Sequence, residues 1–153
     1  MPMTRKTRRI ITAKKQDINH GKELEERVAR MLEDAGIPYQ WENTLYHKGR
    51  KKGGIDFKTD NVWIECKHFT ERLTYKVNSE DHDIKWSQVC MLNNHQLEGH
   101  AAGFIVRELN DRRILWLPVK NFLKHYISSK KKSITVNELE SISTEIKDME
   151  WVK

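Results

Sequence analysis

Apolar residues recur three and four positions apart from Leu24 through Val28, Met31 and Leu32 to Ala35, which predicts an amphipathic helix over residues 19–36. Asn19 suits its N-cap, Gly36 suits the position just past its end, and Pro38 stops continuation. Beyond it the period shortens. Tyr39 to Tyr46 is aromatic-rich and predicts a strand, and His47 to Gly54 is a basic, glycine-containing turn. Ile55–Lys58 and Val62–His68 predict a hairpin around Asp60-Asn61. Residues 69–83 show no clear period and read as a mobile loop. Residues 85–98 predict a second helix with an uneven apolar pattern. Ala102–Leu109 and Arg113–Val119 predict two further strands, turning at Asn110-Asp111. Asn121–Ile127 reads as a short helix with Phe122, Leu123 and Tyr126 on its apolar side. Lys130 to Lys132 is a basic break. The tail from Ser133 to Lys153 is amphipathic and predicts short helices, with Ile134, Val136, Leu139, Ile142 and Ile146 as its apolar positions. The order of helix, three strands, helix, strands and short helices predicts an α/β fold in which helices flank a mixed central sheet.

The stretch GGIDFKTDNVWIECK, residues 53–67, changes this picture from architecture to chemistry. The run Val62, Trp63, Ile64 reads as a buried strand, and side chains alternate faces along a strand, so Glu65 and Lys67 share one face and Cys66 takes the other. With Asp56 on the preceding strand, two carboxylates and one ammonium converge at the end of an otherwise apolar element. Such a group suits binding of Mg²⁺ and activation of water against a phosphodiester. On the first helix, 100° per residue turns Glu26 away from the apolar stripe, while Glu23 and Glu25 flank it on opposite sides. Periodicity alone leaves both as candidates to join the site.

Composition narrows the class. The chain has 153 residues, 33% charged and 37% hydrophobic, which suits one soluble domain. No apolar stretch approaches the roughly 18 residues of a membrane span, and the basic start MPMTRKTRRIITAKK has no apolar core of a secretory signal. Two cysteines are too few for a disulfide framework, so a reducing, cytoplasmic setting is expected. The net charge is +6. Residues 1–16 contain Arg5, Lys6, Arg8, Arg9, Lys14 and Lys15 and no acid, and read as a flexible basic arm ahead of a single domain over residues 17–153. A second group, Lys48, Arg50, Lys51 and Lys52, leads directly into the carboxylate segment. Positive charge beside an acidic site favours a polyanionic substrate, so both groups are candidate DNA contacts.

The motif D-x(8)-E-x-K after an apolar strand resembles the metal-binding core of the PD-(D/E)XK nuclease superfamily, and the order of elements is similar to that core. Within the superfamily the chain most resembles the Holliday junction resolvases of archaeal and bacterial type. HGKELEERVARMLEDAGIPYQWE, residues 20–42, is similar to their opening helix, and its matching glutamate is Glu25. IKWSQVCML, residues 84–92, is similar to the K-x-x-Q that opens their second core helix, with Gln88 as the matching glutamine. RILWLPV, a short helix and SITVNEL resemble the C-terminal layout of the archaeal-type enzymes. The likeness spans about residues 20–140. Two departures are visible: Ile55 stands where a proline usually precedes the first aspartate, and the loop before the Gln88 helix is longer than in the compact archaeal enzymes.

The resemblance implies a restriction-endonuclease-like core. It implies one or two Mg²⁺ ions, replaceable by Mn²⁺, held by Glu25, Asp56 and Glu65, with Lys67 and Gln88 completing the catalytic set. It implies cleavage of a four-way DNA junction to 5′-phosphate and 3′-hydroxyl ends. A four-way junction is nearly two-fold symmetric, so paired nicks imply a homodimer, for which the C-terminal helices or Tyr39, Trp41 and Leu45 are candidate contacts. The competing readings are another endonuclease of the same superfamily, of restriction, mismatch or nonspecific type, and a basic DNA-binding module without catalysis. A histidine-based site around His95 and His100 and a zinc site at Cys66 and His68 lack the spacing such sites need. His95 and His100 are expected to be solvated, and Cys66 to pack against the core. Trp63, Trp86 and Trp116 are expected in the core; Trp41 and Trp151 are harder to place.

Overall fold

The structure, a computed structural model, describes residues 21–42 and 54–153. The first helix, α1, covers residues 21–34. Its end is fixed by glycine: Gly36 has a φ of 70°, its N–H bonds the Glu33 carbonyl, and the Ile37 N–H reaches back to Leu32. That paired closure needs the left-handed conformation a glycine adopts without cost. Asn19, Leu45 and all ten basic residues proposed as DNA contacts lie outside the described residues.

Six strands form one mixed sheet: β1 (Gln40–Trp41), β2 (Phe57–Lys58), β3 (Val62–Phe69), β5 (Ala101–Glu108), β6 (Ile114–Pro118) and β8 (Thr144–Ile146) lie side by side in that order. β2 and β3 pair antiparallel, with Phe57 opposite Ile64 and Lys58 opposite Trp63, as the hairpin reading expects. β3 and β5 pair parallel over all eight of their residues, and the connection between them carries helix α2 (Trp86–Leu97). β5 and β6 return antiparallel. At Gly103 of β5 any side chain would run into the Leu117 carbonyl and Pro118 Cα of β6.

Alternation along β5 and β6 divides the core in two. Ile105, Ile114 and Trp116 pack with Leu24, Val28 and Leu32 of α1 and with Ile146, Met149 and Val152 near the C-terminus. Phe104, Val106, Leu115 and Leu117 pack on the other side with α2, with α3 (Val119–Ser129) and with α4 (Val136–Ile142). The sheet is therefore buried on both faces, which explains why its strands read as near-continuous apolar runs.

Several expectations are corrected. Residues 69–83 are not a mobile loop throughout. They contain β4 (Arg72–Thr74), which pairs antiparallel with β7 (Ser133–Thr135) in a second, two-stranded sheet. Leu73, Tyr75 and Ile84 are wholly buried. The tail contributes β7 and β8 as strands besides α4 and a closing 3-10 turn, Glu150–Val152. Its α4 starts with a reciprocal capping box between Thr135 and Glu138, which satisfies two free backbone donors at once. The third helix extends two residues beyond the expected Asn121–Ile127 at each end. Of the strand expected over Tyr39–Tyr46, the described part is Gln40–Trp41. Trp116 is buried as expected, while Trp63 and Trp86 are half-buried against the core. Trp151, 38% exposed, leans on Trp116 with ring centroids 4.8 Å apart.

Candidate metal centre

The site forms where β2 peels away from β3. Phe57 opposite Ile64 is the last pair of that ladder in this direction, and the chain bends at Asp56. The bend sends Ile55 into one core cluster and Phe57 into the other. Beyond it, side chains take over the bonding that backbone would otherwise supply. The Asp56 N–H donates to Glu65 Oε1 at 3.0 Å, and the Cys66 N–H donates to Asp56 Oδ2 at 2.9 Å. The Glu65 carboxylate is thus locked to the Asp56 backbone, and the Asp56 carboxylate to the Cys66 backbone. Lys67 Nζ lies 3.3 Å from Glu65 Oε2, and both side chains are largely buried.

Tertiary partners separate the glutamates of α1. Glu25 is half-buried and faces the cleft, where its Oε1 accepts from the Trp41 Nε1–H at 3.2 Å. Trp41 is held in turn by stacking on Phe57, with centroids 5.5 Å apart. The two-residue strand β1 therefore sets the position of Glu25, and Trp41 serves this chain's own site and core. Glu23 is exposed and pairs with Arg107 at 3.2 Å, and Glu26 pairs with Lys22 at 3.8 Å along the helix.

Electrostatics at the site are strained by crowding. Burial, then the neighbouring charges of Glu65 and Glu25, push the Asp56 carboxyl well above its usual range. Burial raises Glu25 as well, with Glu65 adding to it and the Trp41 bond opposing it. Burial foremost, then the same carboxylates, push up the Cys66 thiol. Carboxyls that resist ionisation because they are buried, with other carboxylates beside them, are relieved by a cation. The donors are all hard oxygens, which suits Mg²⁺ or Mn²⁺. Glu25, Asp56 and Glu65, with backbone oxygen near Cys66, are the residues that would hold such an ion.

These groups line a cleft of about 410 Å³ together with Lys67 and Gln88. Gln88, near the start of α2, is 5% exposed, and its side-chain oxygen accepts no hydrogen bond from the described protein groups. A buried acceptor left open at a cleft wall is a place for water or a ligand donor. The cleft brings together all five residues singled out from the sequence, Glu25, Asp56, Glu65, Lys67 and Gln88. It also recruits His68, Asp83 and Lys85, none of which sequence reading placed in this site. The signal for His68 was its place one residue past Lys67 at the strand's end. Asp83 and Lys85 fall in or beside the stretch without period. Asp83 acts as a brace, its Oδ2 accepting from both the N–H and the hydroxyl of Thr74 at 2.9 and 3.0 Å.

A second polar group lies at the far end of α2. His95, Glu98 and His100 bring donor atoms within 4.8 Å of one another, the tightest such group among the described residues. His95 is not solvated as expected; its ring stacks on Trp63 at 3.9 Å and on His100 at 4.5 Å. Two imidazoles and a carboxylate suit a borderline transition ion and not Mg²⁺. This group takes no part in the cleft.

No protein-family model and no curated protein matches the chain. No helix among the described residues is long and apolar enough to cross a membrane.

Proposed function

We propose that this chain is a Mg²⁺-dependent DNA endonuclease with a restriction-endonuclease-like core, acting on four-way junctions. One observation carries the reading. Where β2 leaves β3, the Glu65 carboxylate accepts from the Asp56 N–H and the Asp56 carboxylate from the Cys66 N–H, with Lys67 3.3 Å from Glu65. A structural salt bridge requires one carboxylate per ammonium. Three carboxylates around one ammonium, two of them held from ionising by burial first and by the neighbouring Glu65 charge after it, are a poor device for stability and a good one for binding a divalent cation.

When bound, the ion supplies Lewis-acid activation of the scissile phosphate and of the attacking water. The side chains do the rest. Asp56 and Glu65 fix the ion's place on the rigid edge of β3. Glu25, set by Trp41, orients water from the opposite wall. Lys67 orients the nucleophile and offsets charge that develops on the phosphoryl oxygens. Gln88 offers its open carbonyl oxygen to a water donor. The junction preference follows the sequence resemblance, and the need for two symmetric nicks makes a homodimer the working assembly.

The test is cleavage of a labelled four-way junction and of a linear duplex carrying the same sequence, with Mg²⁺ and with EDTA. Paired nicks in the junction with the duplex intact support the reading. Equal cutting of both substrates would make the chain a different DNA endonuclease. No cutting with either Mg²⁺ or Mn²⁺, but retained DNA binding, would make it a binding module.

A further inference from the structure

A second cavity of about 400 Å³ is walled by Tyr75, Tyr126 and Ile127 and rimmed by lysines. The two cavities share one strip of chain. Thr74 is braced by Asp83, which lines the cleft, and the next residue, Tyr75, bridges to Ile84 and lines the second cavity.

The rim is strongly basic. Lys76 comes from one wall, and Lys130, Lys131 and Lys132 from the other, where α3 ends. Lys131 is engaged by Glu138 at 3.7 Å. Lys76, Lys130 and Lys132 are exposed and have no ion pair among the described residues. Cations near a helix C-terminus are favoured by the helix dipole, which accounts for part of the 130–132 run. It does not account for Lys76 on the facing wall, nor for Ile127, which is 71% exposed on the apolar floor. An apolar floor flanked by three ammonium groups without an ion pair among the described residues matches a flat apolar base flanked by phosphates.

We infer that this cavity is a second nucleic-acid subsite, taking an unstacked base on the Tyr126–Ile127 floor while Lys76, Lys130 and Lys132 hold the adjoining phosphates. The inference rests on the nucleic-acid reading above and lies outside the residues assigned there. It implies that the strand is engaged on both sides of the Thr74–Tyr75 strip, with a base drawn out of its stack near the cut.

Fluorescence anisotropy in EDTA tests it, with two probes: a labelled oligothymidylate and a strand of equal length with abasic sites at its centre. Lys130→Glu combined with Lys132→Glu should bind the oligothymidylate about tenfold or more weakly. The slope of log affinity against log salt should fall by between about 1 and 2. Lys76→Glu, on the facing wall, should act in the same direction, and Lys147→Glu, exposed elsewhere, should change little. Ile127→Ser should weaken binding of the oligothymidylate at least about fivefold and of the abasic strand far less. Unchanged affinity and slope in the lysine variants, or an equal loss in Lys147→Glu, overturns the subsite. Equal losses on both probes in Ile127→Ser overturn the base contact. Failure of the nuclease reading is separate: it appears as absent cleavage in the wild-type protein, whatever these affinities show.

Discussion

The cleft and the lysine-rimmed cavity draw on one strip of chain, through Asp83 bonded to Thr74 and Tyr75 bridged to Ile84, yet they carry opposite charge under opposite conditions. In the cleft, Glu65 is 3% exposed and Asp56 is held back from ionising by burial and by its neighbours. Around the cavity the ammonium groups stand in solvent. Buried charge is expensive and strongly coupled, so removing one member disturbs all of them. Exposed charge is cheap and screened, so each lysine contributes a small, nearly independent and salt-sensitive amount. The two regions should therefore fail differently when changed.

The largest expected effect is on the buried side. Asp56→Asn should lower the cleavage rate about a hundredfold or more, the order attached to losing one preorganised electrostatic group. DNA binding measured in EDTA should be nearly unchanged, the reverse of the result expected for the lysine pair. Cleavage at the wild-type rate would remove Asp56 from the mechanism and leave the cleft without its chemistry.

A smaller contrast lies within α1. Glu25→Gln should slow cleavage about tenfold or more while keeping the Trp41 bond. Glu23→Gln should leave the rate unchanged and cost at most about 1 kcal/mol, because it removes a surface pair with Arg107. Steady-state cleavage and thermal melting of the two variants together check this, and a larger rate loss in Glu23→Gln would reverse the assignment of the helix face.

The smallest expected effect is on stability. Folding raises the affinity of Asp56 and Glu25 for protons. Their contribution to stability is therefore fully present below the usual carboxylate range and is lost as pH rises through their raised values. In EDTA this site should favour the folded state less at neutral than at mildly acid pH. Mg²⁺ should raise the melting temperature at neutral pH, and raise it less when the carboxyls hold protons. The pH dependence of the Mg²⁺-induced shift, compared with Asp56→Asn, isolates the site from the rest of the titrating surface.

The legible parts of the sequence were those whose cause is local. The turn at Asp60-Asn61 and the apolar run Val62–Ile64 fixed the hairpin, and with it the meeting of Asp56, Glu65 and Lys67. Gly36 and Pro38 marked the end of α1. The choice between Glu23 and Glu25 was not local: it depends on Trp41 and Arg107, which reach α1 only through the tertiary fold. α2 looked uneven because the polar Gln88 shares its buried side with Val89 and Leu92. Position 88 trades apolar packing for a group facing the cleft. The β4–β7 pair was invisible because each strand buries one residue, Leu73 or Ile134. A three-residue strand with one apolar side chain has no period to detect, and its partner lies some 60 residues away. Lys130 to Lys132 read only as a break, since nothing local announces that Tyr75 and Lys76 lie across from them.

The thiol of Cys66 is half-buried beside the carboxylates and driven toward its protonated form, whereas Cys90 is exposed on α2 two residues beyond Gln88. Alkylating reagents attack the thiolate, so a maleimide probe should attach at Cys90 and spare Cys66. The natural chain thus offers a single attachment point for a fluorophore or spin label on the helix that forms one wall of the cleft, without mutagenesis.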